Sequence, residues 1–194
     1  MAGETIYGKE GKFIEIKTRN NLMLKFFILL IPFLLLADTG SLTKIVDGDT
    51  LYFKTNGKKV KCRIEYIDTP ESKNNSKLKR DIKHCRGIST KDMISAGKSA
   101  TRAAKRLLKL GDKYSYKTHG KDRYGRSICV VQLDDTKTFN EVMILDGYAV
   151  PFRRYMTSDE KRYYNRVLEK ARTQNRGLWK NYSREIECLN SARN

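Results

Sequence analysis

KIVDGDTLYFKTNGKKVKCRIEYIDTPE, residues 44–71, contains two runs rich in β-branched and aromatic side chains, 50–55 and 58–67, separated by Asn56-Gly57. Asn-Gly between such runs is a strong signal for a type I′ hairpin turn, because both central positions need positive φ. Folding the chain back there brings Asp47 and Asp49, just before the first strand, to the same edge as Asp68 and Glu71, just after the second. Four carboxylates converging in this way repel one another unless a cation or cationic side chains hold them together. An all-oxygen donor set suits Ca²⁺ or Mg²⁺, and no Cys/His zinc spacing competes with it. Taken singly, Asp-Gly-Asp and Asp-Thr-Pro-Glu are ordinary turn sequences, favoured for backbone reasons alone. Their pairing across one hairpin is what gives them chemical meaning.

The remaining chain supplies elements to wrap around that hairpin. Ala96, Ala100, Ala103, Ala104, Leu107 and Leu108 recur at helical spacing, and Gly111 ends the helix. Residues 114–118 and 127–133 read as strands, joined by a loop that gathers Arg123, Tyr124 and Arg126. A short helix is expected at 140–145. A longer one starts at Thr157, whose spacing from Glu160 is that of a capping box, and runs towards Gly177, after which Leu178 and Trp179 dock on the core. The segment 72–93 is lysine-rich and lacks periodicity, so it is expected to be an exposed loop. Residues 183–194 are expected to be a tail. The order of strands, helix, strands and helices predicts an α+β fold, a small β-barrel with helices packed on it.

A chain of 194 residues suffices for one domain with a core and tails. Its 40 Lys and Arg against 22 Asp and Glu give +18, an excess that attracts polyanions strongly at low salt. Nucleic acid or an anionic membrane is the implied partner. Residues 1–22 are a polar tail, and Met23 directly after it offers a more conventional start. After Lys25 comes FFILLIPFLLLA, an apolar run too short for an ordinary membrane span, so residues 23–37 are expected to be an export signal, or an anchor if uncleaved. Export would expose Cys62, Cys85, Cys129 and Cys188 to an oxidising compartment, where at least one disulfide is expected. Spacing does not give the connectivity. Cys62 and Cys129, both in strands, fit either a bridge or two buried thiols.

Asp47-Gly48-Asp49-Thr50, Arg63 five residues before Asp68-Thr69-Pro70-Glu71, the run from Asp122 to Arg126, and Arg176-Gly177-Leu178-Trp179 together resemble the signature of the staphylococcal nuclease (thermonuclease) family. The resemblance spans residues 42–182. It implies a five-stranded OB-type barrel with about three helices, and Ca²⁺-dependent hydrolysis of DNA and/or RNA phosphodiesters. Carried over by position, Asp49, Asp68 and the main-chain carbonyl of Thr69 would be metal ligands, with Asp47 acting through water. Glu71 would be the general base, and Arg63 and Arg126 would hold the phosphate and its growing charge. Tyr124, Arg153 and Tyr155 would bind substrate, Arg153 standing where the family has a tyrosine. The expected protein is an exported nuclease, monomeric and without an obligate protein partner. The alternative is a non-catalytic nucleic-acid-binding OB module, which would need the basic groove but not the acids.

Overall fold

A computed structural model describes residues 37–193, and the expected signal or anchor at 23–37 lies almost wholly outside them. Among the described residues no helix is long and apolar enough to cross a membrane. The barrel strands are β1 (Asp38–Ile45), β2 (Thr50–Thr55), β3 (Lys58–Ile64), β5 (Lys113–Lys121) and β6 (Ser127–Val131). They close in the order β1-β2-β3-β6-β5, with β5 returning to β1. The expected hairpin is present: Thr55 pairs with Lys58 and Thr50 with Arg63, around Asn56 (φ 49°) and Gly57 (φ 77°). Alternate residues point inwards, so Leu42, Leu51, Phe53, Cys62, Ile64, Tyr116, Cys129 and Val131 fill the barrel. Phe53 stacks on Tyr116 with ring centroids 4.9 Å apart, and the Tyr116 hydroxyl meets Thr55 Oγ1 at 2.7 Å.

β3 stops earlier than its apolar run suggests. Tyr66 takes a positive φ of 63°, and the chain turns there before β4 (Ile67–Asp68) pairs with β7 (Val150–Pro151) in a separate two-residue ladder. Buried Asn140 supports this turn by donating Nδ2 to the Glu65 carbonyl at 2.7 Å while its Oδ1 accepts from Val131 N. Asp68 is thereby placed where Arg63 of β3, Lys77 and Arg193 all reach it.

The segment 72–93, expected as a loop, is largely helical: α1 spans Ser76–His84 and α2 spans Thr90–Leu107. Leu78, Cys85 and Met93 bury together in a small second core, with Ile82, Ile88, Ile94 and Cys188 packed around them. The rest comprises α3 (Phe139–Leu145), a 3₁₀ turn at Arg153–Tyr155, α4 (Ser158–Thr173), α5 (Leu178–Asn181) and α6 (Ser183–Ser191). Both halves of the Thr157/Glu160 capping box are formed, and Leu178 and Trp179 are buried as expected. Residues 183–191, expected as tail, instead form α6, which buries Ile186 and Leu189. Six helices therefore surround the barrel among the described residues, where about three were expected.

All four cysteines are paired. Cys62–Cys129 staples β3 to β6 inside the barrel, and Cys85–Cys188 ties the end of α1 to α6. They link positions 67 and 103 residues apart, loops for which the chain-entropy model gives about 4–5 kcal/mol each.

Candidate active site

The hairpin does bring its two acidic ends together. Asp49 Oδ2 accepts from both the main-chain N–H and the hydroxyl of Thr69, each at 3.1 Å, which locks the loop before β2 against the segment after β4. Arg63, at the end of β3, reaches both ends: its guanidinium lies 2.9 Å from Asp68 Oδ1 and 3.5 Å from Asp49 Oδ2. Asp49 is 4% exposed and Asp68 1%, so this charge pairing takes place away from bulk water, where it is strong.

The carboxylates gather as the sequence suggested, and it is cationic side chains that hold them together. Among the described residues no three acidic, histidine or cysteine side chains stand close enough to form a metal centre by themselves. Cationic side chains lie between them. Lys77 Nζ is 2.9 Å from Glu71 Oε1, 3.3 Å from Asp68 Oδ2, 3.3 Å from Asp81 Oδ2, and donates to the Thr69 carbonyl at 3.1 Å. Arg193 donates Nε to Asp68 Oδ2 at 2.7 Å and a terminal nitrogen to Asp81 Oδ1 at 2.5 Å. Asp49, Asp68, Glu71 and Asp81 thus share three cations, a negative balance with all groups ionised.

The ionisation of the group reflects this uneven sharing. Burial works to raise the Asp68 carboxyl, but Lys77, Arg63 and Arg193 outweigh it and hold the group down at about 2. Asp47 has no such neighbour: burial and the charge of Asp49 push it up to about 7. Arg63 and Lys77 are held more firmly protonated than usual, burial being overcome by the surrounding carboxylates. The chemistry of the donors fits a hard cation, since carboxylate oxygens and a main-chain carbonyl surround a positive group already. In this structure that group is an ammonium.

Glu71 is positioned from two sides. Asn75 is the N-cap of α1, and its Oδ1 accepts from Leu78 N at 2.9 Å, which leaves Nδ2 to donate to Glu71 Oε2 at 2.5 Å. From below, Gly97 of α2 presses on the main chain of Glu71 so closely that an added Cβ would lie 2.3 Å from its carbonyl carbon and oxygen. Lys77, Asp81, Arg193, Asn75 and Gly97 were all missed from the sequence. A glycine inside an otherwise alanine-rich helix was the one available signal of a close backbone approach.

Arg126 and Tyr124 sit on the turn between β5 and β6. Arg126 forks onto Asp122 Oδ2 through Nε at 2.7 Å and a terminal nitrogen at 2.6 Å, and its guanidinium lies 5.6 Å from the Tyr124 ring centroid. Burial tends to raise Asp122, but its bonds from Arg126 and from the turn amides lower it overall. No hydrogen bond or ion pair among the described residues joins this turn to the acidic group. Tyr124 and Tyr155 are 64% and 75% exposed, consistent with aromatic surfaces available for stacking. Arg153 is engaged within the fold. Its guanidinium is bound by Asn165 Oδ1 at 2.8 Å, Asn190 Oδ1 at 2.9 Å and the Pro151 carbonyl at 3.4 Å, so it is a strut between β7, α4 and α6.

Similarity to known proteins agrees with this arrangement. The family model described as staphylococcal nuclease homologue matches residues 61–181. A thermonuclease of Staphylococcus hyicus is 30% identical over 145 residues, covering 74% of each chain. An uncharacterized endonuclease of Escherichia coli O157:H7 is 29% identical over 161 residues, 83% of this chain and 90% of its own. A micrococcal nuclease of Shigella flexneri is 28% identical over 151 residues, 72% of each. Matched over more than half its length, with the five-stranded barrel and the acidic hairpin ends in place, the chain belongs to the staphylococcal nuclease homologue family.

Proposed function

We propose that this family member, a phosphodiester hydrolase, is an endonuclease that cleaves DNA and/or RNA with little sequence preference, as a monomer and with Ca²⁺ as cofactor. The observation that carries the reading is the Asp49–Arg63–Asp68 group with Glu71 beside it, assembled from both ends of one hairpin. A module that only binds nucleic acid has no use for buried acids at that edge.

Asp49, Asp68 and the Thr69 carbonyl would hold Ca²⁺, with Asp47 reaching it through water. When bound, the ion would supply Lewis-acid polarisation of a phosphoryl oxygen. Glu71, held by Asn75 and backed by α2, takes a proton from the attacking water. Arg63 and Arg126 present planar guanidinium groups that bind phosphate oxygens through paired donors and stabilise the charge that grows in the transition state. For Arg126 this requires sharing its fork with Asp122. Tyr124 and Tyr155 offer ring faces on which bases stack without regard to sequence.

Export is part of the proposal. Two disulfides with no free cysteine among the described residues suit an oxidising compartment, and the apolar run at 26–37 suits the signal or anchor that would send the chain there. The test is incubation with single-stranded and duplex nucleic acid, in Ca²⁺ and in chelator. Cleavage with Ca²⁺ is expected, together with a loss of roughly 10²-fold or more in Glu71→Gln, which keeps shape but removes the proton acceptor. No cleavage by the unmodified protein with any metal would leave only the binding module.

A further inference from the structure

Lys77 lies in the first turn of α1, two residues beyond the N-cap Asn75. A cation there opposes the positive end of the helix macrodipole, so its position is not explained by the helix. It is explained by four oxygens: the Thr69 carbonyl, Asp68 Oδ2, Glu71 Oε1 and Asp81 Oδ2, all 2.9–3.3 Å from Nζ. Two of these belong to residues that would hold the divalent ion, and a third to the general base. One ammonium and one divalent ion cannot both take the same oxygens at bonding distance.

α1 is anchored as well as placed. Asn75 bonds its start to Glu71, Leu78 is buried beneath it, and Cys85 at its end is bridged to Cys188 of α6. Arg193, just past α6, closes the far side of the group on Asp68 and Asp81. Asp81, one helical turn after Lys77, gives the ammonium a carboxylate to keep when it leaves the other three oxygens.

We propose that Lys77 is a tethered cation occupying the divalent-ion cradle, so that metal binding requires its displacement and Lys77 sets the protein's affinity for Ca²⁺. Removing the ammonium leaves the oxygens in place and removes their competitor. The inference rests on the metal reading of Asp49, Asp68 and Thr69 given above, but not on catalysis.

The experiment is calorimetric titration of the full chain with Ca²⁺, without nucleic acid, comparing the unmodified protein with Lys77→Met and Lys77→Gln. Both variants are expected to bind Ca²⁺ at least tenfold more tightly. In chelator they should melt below the unmodified protein, and saturating Ca²⁺ should raise their melting temperatures more than it raises that of the unmodified protein. Variants that fold only when Ca²⁺ is supplied would show the same exchange in its extreme form. Equal or weaker Ca²⁺ binding by both variants, or failure to fold with and without Ca²⁺, would overturn the proposal. Tighter binding by the variants alongside no cleavage of nucleic acid by the unmodified protein would refute the nuclease reading and leave this one standing.

Discussion

Gly97→Ala tests whether the main chain at Glu71 is held in place by α2. A Cβ at position 97 would lie 2.3 Å from the Glu71 carbonyl carbon and oxygen and 2.6 Å from Ser72 N, all backbone atoms that cannot rotate aside. Restoring ordinary contact requires a separation of about 1 Å between α2 and the segment bearing Glu71, and such relief of overpacking costs about 1–3 kcal/mol. Against this, alanine is better than glycine in a helix interior by roughly 0.8–1 kcal/mol. The net loss of stability is therefore about 1 kcal/mol, a fall in melting temperature of roughly 2–4 °C. The catalytic loss should be far larger in proportion, since a displacement of about 1 Å at a reacting group costs on the order of 10²-fold in rate. Single-turnover cleavage at saturating Ca²⁺ and calorimetric melting, with exposed Lys98→Ala on the same helix as control, measure both quantities. Turnover within twofold of the unmodified protein would refute the claim that this contact positions Glu71.

Cys85→Ser with Cys188→Ser should cost about 4–5 kcal/mol, a drop in melting temperature of roughly 8–20 °C, and a drop below about 2 °C would show that α1 and α6 hold together without the bridge. Affinity for random-sequence DNA should fall steeply and log-linearly with salt, as the basic chain releases counterions from phosphates; a flat response would refute polyanion binding through the +18 charge excess. Glu160 is held below the usual 4.5 because Tyr66 and the Thr157 N–H and hydroxyl donate to it, so its contribution is present above that pH and is lost as pH falls through and below it. The stability gap between the unmodified protein and Glu160→Gln should accordingly be widest near neutrality and narrow below pH 4.5, as followed by urea unfolding; a gap independent of pH would separate Glu160 from the acid limb.

The barrel was legible because its signals are local. Asn56-Gly57 fixes a register through two positive φ angles, and strand alternation then determines which side chains face in. The capping box at Thr157 and the docking of Leu178 and Trp179 were legible for the same reason. α1 was not: its charged sequence, SKLKRDIKH, presents Leu78 and Ile82 but too few apolar residues to reveal a face, and its burial depends on Met93 and Cys188 supplied from elsewhere. The acids of the site and Arg63 could be read from the sequence, whereas the other two neutralising cations, Lys77 and Arg193, could not. Arg193 reaches Asp68 across 125 positions, and Lys77 faces Asp68 only because α1 starts where Asn75 caps it. The partners of Arg153 were hidden for a related reason: a matching position carries no information about Asn165 and Asn190, which bind its guanidinium.

The parallel pairing of β3 with β6 has a kinetic consequence. Arg63 stands opposite Ile128 and Ile64 opposite Cys129, so this edge cannot form as a hairpin and must wait for the intervening α1, α2 and β5 to be gathered in. Pairings between distant positions in sequence carry their loop-closure entropy into the folding barrier, and chains dominated by them fold slowly. The hairpin at Asn56-Gly57 can form within microseconds by comparison. Arg63 therefore acquires Ile128 as a neighbour later than Thr50, and a chain oxidised at Cys62–Cys129 before refolding has much of that search already done, because the bridge joins the two strands of this ladder.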